Sequence, residues 1–409
     1  MITSSDKQLV RELAKNYLAQ VSTEKQQRMF KRFRDTNDLK PGRPPVLLDE
    51  IPWYQMNMDD ELTCRCEDKD ARGIELYFRK ALFYMKHFKA DNLYEPFVRI
   101  PRAFDSTGIG IESKDVDLKR TDSQNNIVSR EYADVLENEE ALEQMHDPVF
   151  TLRPDKDAKR MEIYTEILGD SIPIILSGFS YFYFAPWDKI TRLRGVEPIL
   201  IDLYDRPEYL HKIMEKYVSA AHAQLDFTEK ELGVDLTPNL HCTPSLVSGL
   251  EGEGLKSTWC RSMAQSFGVI SPAMHKEFDI DYLQSVAKRF AYTYYGCCEP
   301  LDDKIDVLKT IPNLRKIGCS PWASVDRCAE QIGGNFVLSR KPNPANVAIH
   351  TDPEVIKQEI EATVKACIKH GCPYDYVLKD ISTVSNNPSN LIVWSETVSE
   401  VLDRYYGES

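Results

Sequence analysis

At 409 residues, with 42% hydrophobic and 28% charged side chains and no low-complexity tract, the chain has the composition of a folded globular protein large enough for one barrel. A formal charge of −13 argues against nucleic acid or an anionic membrane surface as partner, since phosphate binding needs a dense cationic face and Lys31-Arg32-Arg34 only coats part of one helix. No run approaches the roughly 20 apolar residues of a membrane span, Met1 to Asp6 lacks the order of a secretory signal, and ten cysteines read as reduced thiols, so a cytoplasmic location is expected.

From Asp6 to Phe33, Leu9, Val10, Leu13, Leu18 and Val21 recur at helical spacing, which predicts a helical extension over residues 1–44 lying outside the main body at 45–409. Pro41-Gly42-Arg43-Pro44-Pro45 ends it, and Val46-Leu47-Leu48 reads as the first buried strand. Phe104 to Tyr132, with Gly108, Gly110 and Asn125-Asn126, reads as a hairpin excursion beside the barrel mouth. Strand signals follow at Ile172 to Leu176, Tyr292 to Tyr295, Leu314 to Ile317, Phe336 to Leu338 and Tyr376 to Leu378. Between them Pro207 to Gln224 is an amphipathic helix, and Asp352-Pro353-Glu354 opens another with Ile356, Ile360, Val364, Cys367 and Ile368 on its apolar face and Gly371 at its close. This alternation predicts a parallel sheet with helices outside it, although spacing alone does not separate a closed barrel from an open doubly wound sheet.

Several phrases recur in a telling order: Gly169-Asp170-Ser171-Ile172-Pro173, Gly195-Val196-Glu197 to Pro207-Glu208, and Trp259 to Phe278 with Ser271-Pro272. Then come Tyr295-Gly296-Cys297-Cys298-Glu299, Ser339-Arg340-Lys341-Pro342-Asn343-Pro344 and Asn387-Pro388-Ser389-Asn390. Over roughly residues 130 to 400 this order resembles the uroporphyrinogen-decarboxylase-like superfamily. The resemblance implies an α/β fold, a (β/α)8 TIM barrel with an N-terminal helical extension, whose active site lies at the C-terminal strand ends.

The superfamily contains decarboxylases and corrinoid-linked methyltransferases. The decarboxylases carry an Arg-rich phrase after the first strand; here Asp49-Glu50-Ile51-Pro52-Trp53 is acidic, and only the remote Arg99 or Arg102 could compensate. The methyltransferase branch is therefore the closer resemblance. It implies methyl transfer between a small substrate or thiol and a cobalamin carrier protein, assisted by zinc. The chain has no Asp-x-His-x-x-Gly phrase for a cobalamin, so the corrinoid would arrive on a separate partner. A decarboxylase and a non-catalytic ligand-binding barrel are the alternatives.

The family's zinc methyltransferases carry His-x-Cys at a late strand end and a distal Cys; this chain has Cys297-Cys298 without the His, and Asp380-Ile381 at the distal place. His241, Cys297 and Cys298 are the candidate metal ligands, with Cys298 favoured to face the mouth because successive strand residues point to opposite faces. The two thiols read equally as buried small hydrophobes. His241, Glu299 and Asp380 are candidate acid/base groups, the carboxylates being alternatively ligands or exposed loop charges. Tyr295, Trp259 and Trp322, with Tyr292 and Tyr294, are candidates for an aromatic substrate wall or for barrel core, and Lys341 for an anionic group or for surface. Cys64 and Cys66 lie in a charged, loop-like stretch; Cys260 and Cys319 are second-rank candidates.

Overall fold

The structure, a computed structural model, describes residues 2–117, 130–235, 240–250 and 252–407. Asn125-Asn126 of the expected hairpin and the Thr237-Pro238-Asn239 run before His241 lie outside the described residues. The extension forms two helices, Ser4–Val21 and Glu24–Asn37. The first is opened by a reciprocal cap in which the Asp6 amide donates to Thr3 Oγ1 and the Thr3 amide to Asp6 Oδ2. Its apolar stripe, Val10, Ala14 and Tyr17, packs on Ala71, Ile74 and Phe78 of helix Lys69–His87 and on Ile167 and Leu168 of helix Pro154–Leu168.

Strand β1 is Val46–Leu48, β2 Val98–Pro101, β3 Phe104–Ser106, β4 Asp115–Asp117, β5 Arg130–Tyr132, β6 Phe150–Leu152, β7 Ile174–Ser177 and β8 Tyr181–Phe184. After these come β9 Trp259–Ser262, β10 Tyr292–Tyr295, β11 Leu314–Cys319, β12 Val337–Arg340 and β13 Tyr374–Leu378. Seven of them form one parallel sheet in the order β1-β13-β12-β11-β10-β9-β8. β2 and β7 form a separate parallel pair. The excursion is real: β3 pairs with β6 and β4 with β5, both antiparallel.

The closed eight-stranded barrel expected from the resemblance is not formed among the described residues; the fold is an α/β fold built on a seven-stranded parallel sheet. Two local features keep the ring open. On the free edge of β1, the Val46 carbonyl accepts from the Asp91 amide at 2.6 Å and the Val46 amide donates to Asp91 Oδ2 at 2.9 Å, while the Leu48 amide donates to Tyr84 Oη. That edge is satisfied without β2. Between β7 and β8, residues 233–235 lie against the chain: the Phe179 amide donates to the Gly233 carbonyl and the Asp235 amide to that of Phe179. A Cβ on Gly178 would meet the Gly233 oxygen at 2.4 Å, so glycine is needed where these backbones touch.

Alternation along the strands sorts side chains to two faces. Leu48, Phe182, Cys260, Tyr295, Ile317, Leu338 and Tyr376 join the apolar layer beneath the helices. Trp259, Arg261, Tyr294, Lys316, Ser339, Lys341, Asp375 and Lys379 are buried on the other face. There Lys316 Nζ bonds Asp375 Oδ2 at 2.6 Å, and Thr243 Oγ1 donates to the same oxygen at 2.8 Å. Lys341 donates to Tyr294 Oη and Ser339 Oγ. Burial alone would raise the Asp375 carboxyl; Lys316 and Lys341 reverse that and hold it below its ordinary value. Lysine in a strand thus reads as surface from sequence while serving here as core. Asp375→Ala, which strands the buried Lys316 ammonium, is expected to cost about 3–5 kcal/mol in urea unfolding; a loss below about 1 kcal/mol would show that the network is not structural.

Candidate functional site

β10 ends at Tyr295, and Gly296, with φ 95°, turns the chain so that Cys297 and Cys298 both stay on the polar side. Their sulfurs lie 3.6 Å apart. The strand has already ended, so the alternation that would have separated them no longer operates. At the end of β13, Lys379 Nζ lies 3.4 Å from Cys297 Sγ, 3.6 Å from Cys298 Sγ, 2.8 Å from Asp380 Oδ2 and 3.5 Å from Glu50 Oε2. Cys298 Sγ is 2.9 Å from Asp380 Oδ2. The Asp380 amide donates to Glu50 Oε2, which fixes the acidic phrase after β1 against this cluster.

The close Cys242 and Cys298 sulfurs outweigh burial, and with the His241 hydrogen bond and the Arg261 charge they hold the Cys297 thiol below the usual cysteine range. Cys298, whose thiol donates to Asp380 Oδ2, and Cys242 are pushed up by the neighbouring Cys297 sulfur and by burial. Burial would lower Lys379, but the surrounding sulfurs raise it. The cluster thus sets the Cys297 sulfur among two further cysteines, an imidazole and an ammonium.

The structure brings His241, Cys297, Cys298 and Asp380 together, with His241 and its neighbour Cys242 in a turn. Glu299 is buried, with Oε2 accepting from the Cys297 amide at 2.9 Å and Oε1 unpartnered; burial and the Cys297 charge raise its carboxyl. Lys341 and Trp259 lie deeper on the polar face, Lys341 bonded to Tyr294 and Ser339 and therefore not a surface lysine. Tyr295 points through the sheet to the helix side, where its hydroxyl bonds His275 and Asp279 Oδ2. Trp322 is 71% exposed, away from any buried wall. Cys64 and Cys66 are apart from the cluster, and burial pushes the Cys66 thiol up to about 12. Cys260 and Cys319 belong to the helix-side layer. Arg99 is taken by Glu95 and Arg102 by the Leu232 carbonyl, so neither offsets Glu50.

The residues missed in the sequence are Lys379, Cys242, Arg261 and Asp188. Asp188, in helix Pro186–Arg194, accepts from the amide and side chain of Gln265 at 3.2 Å, and burial, then the charges of Glu299 and Cys297, push it up to about 7. Lys379 was visible only as a charge after an apolar strand, beside the candidate Asp380.

Thiolate and imidazole are donors that zinc accepts. Among the described residues no group of three or more His, Cys, Asp or Glu side chains is placed to hold a metal ion. Lys379 supplies the cation to both sulfurs from the chain itself. No helix among the described residues is long and apolar enough to cross a membrane.

No protein-family model and no curated protein matches this chain. Among solved structures, it is similar to a methyltransferase from Methanosarcina mazei, over 92% of this chain and 99% of that one, at 14% identity and a TM-score of 0.49.

The cluster sets the pH profile of alkylation. Iodoacetamide labelling of Cys297, followed by peptide mass spectrometry, should inflect below the roughly 8.5 of a free cysteine, and Lys379→Met should move the inflection up by about one pH unit, because losing the cation disfavours the thiolate. An inflection at or above the free-cysteine value in the wild type would contradict the assignment.

Proposed function

We propose that this chain is a methyltransferase in which Cys297 is the sulfur nucleophile, moving a methyl group between a small substrate and a corrinoid on a separate carrier protein. The observation that carries the reading is the placement of Cys297 Sγ at the C-terminal strand ends, 3.4 Å from the Lys379 ammonium and flanked by Cys242, Cys298 and His241. A thiolate is a soft nucleophile suited to displacement at an sp3 carbon. Its lone pair forms the carbon–sulfur bond as the methyl–heteroatom bond breaks, and the heteroatom leaves with that electron pair and a proton. Asp188, poised near neutrality beside Glu299 and Cys297, is the group able to give the proton. The donors that stabilise the thiolate also make it a better leaving group when the methyl moves on. A cobalt(I) corrinoid would supply the second nucleophile. The reading does not call on zinc, because Lys379 already answers the charge of the sulfurs.

Methyl transfer to cob(I)alamin from a panel of methyl ethers, thioethers and methylamines tests this. Cys297→Ser should lower the activity by roughly a hundredfold or more, with the variant still folded by circular dichroism at the assay temperature. The acid form of Asp188 prevails below about pH 7 and is lost above it, so kcat should fall as pH rises through that value, and Asp188→Asn should abolish that dependence. Full activity in Cys297→Ser would overturn the reading. The acidic Glu50 and Asp380 at the mouth, with Arg99 and Arg102 both engaged, oppose a polycarboxylate there. Uroporphyrinogen should give no coproporphyrinogen at an enzymatic rate by chromatography, and its appearance would favour the decarboxylase alternative.

A further inference from the structure

Arg261 on β9 is fully buried. Its Nη1 donates to the Ser262 carbonyl at 2.8 Å, and its guanidinium carbon lies 3.8 Å from the centre of the Tyr294 ring. Nε and Nη2 have no hydrogen-bond partner among the described residues. Asp375, buried on the same face, is already shared by Lys316, Thr243 and Ser339, and Arg261 makes no hydrogen bond to the buried Glu299. Arg261 stands opposite Tyr183 of β8, whose ring lies 5.5 Å from that of His241 and packs in one cluster with Met263, Cys297 and Cys298, so this stretch of β9 borders the sulfurs.

A buried charged donor left unpaired is costly, and these two are not a random pair. Nε and Nη2 form one edge of the guanidinium, the edge that meets the two coplanar oxygens of a carboxylate with parallel hydrogen bonds. An amide or alcohol offers no such pair of acceptors. We infer that Arg261 is the substrate-binding residue for a carboxylate: the group-transfer substrate is a small organic acid whose carboxylate docks on the Nε/Nη2 edge while its reacting carbon faces Cys297. The inference rests on the reading of Cys297 as the nucleophile and adds the substrate class.

Iodoacetate and iodoacetamide are near-isosteric probes, each alkylating a thiolate with loss of iodide, and only the first carries a carboxylate. Relative to free cysteine, Cys297 in the full chain should favour iodoacetate over iodoacetamide by roughly tenfold. Arg261→Lys, which keeps the charge and loses the edge, should bring the ratio back to within about threefold of free cysteine. A preference unchanged in Arg261→Lys, or absent in the wild type, overturns the inference while leaving the thiolate intact. Two measurements stand apart from the variant's folding and from the sulfur. Propionate should slow labelling of wild-type Cys297 by iodoacetamide several-fold where propionamide does not, and equal effects would count against the site. In calorimetry propionate should bind the wild type and not Arg261→Lys. If Cys297 proves unreactive yet this difference holds, the nucleophile reading fails and the acid site stands; no difference overturns the acid site.

Discussion

Four cations, Arg261, Lys316, Lys341 and Lys379, are buried on the polar face of one parallel sheet, and Asp375 is the fully buried carboxylate they share that face with. Charges removed from water must be answered by opposite charge or by hydrogen bonds, or the fold is lost. Asp375 answers Lys316, and the phenol and hydroxyl of Tyr294 and Ser339 answer Lys341. Lys379 finds its counter-charge in Asp380, Glu50 and sulfur. The Cys297 sulfur therefore shares its ammonium with the carboxylates that answer Lys379. The chemistry of the site and the stability of the sheet rest on the same interactions.

Backbone geometry delivers the sulfur to that place. A Cβ on Gly318 would lie 2.8 Å from the Gly296 carbonyl, so the ends of β10 and β11 approach more closely than side chains allow. A Cβ on Gly296 would meet Leu301 at 2.3 Å, and its φ of 95° favours glycine. The turn that follows lowers Cys297 beside Lys379, and the Glu299 carboxylate closes it by accepting the Cys297 amide. The segment around Cys242 and Thr243 comes from far earlier in the chain and is pinned by the Thr243 bond to Asp375. One side of the sulfur cluster is thus tied to the central ion pair.

Much of the sheet was legible because apolar runs such as Val46-Leu47-Leu48 and Tyr374–Leu378 have few other structural uses. Closure was not legible, because it turns on Asp91 and Tyr84 filling the edge of β1, which no pattern announces. Cys297, Cys298, His241 and Asp380 were named from a strand end and a resemblance, and they meet. Tyr294 and Tyr295, both named for a substrate wall or for core, part company in the fold: Tyr294 faces the polar interior and Tyr295 the helices. Lys379 and Arg261 were passed over because a charge in or beside a strand ordinarily marks a solvated face, and only the folded sheet shows that these positions point inward.

The central claim is that Cys297 carries the methyl group, and free methylcobalamin offers the most direct measurement. Incubated with the protein and no other acceptor, it should give one added methyl group on the peptide containing Cys297, with release of cob(I)alamin, and none on the other nine cysteines of the ten. Methyl transfer proceeding normally with Cys297 unmodified, or modification spread evenly over the cysteines, would contradict the account.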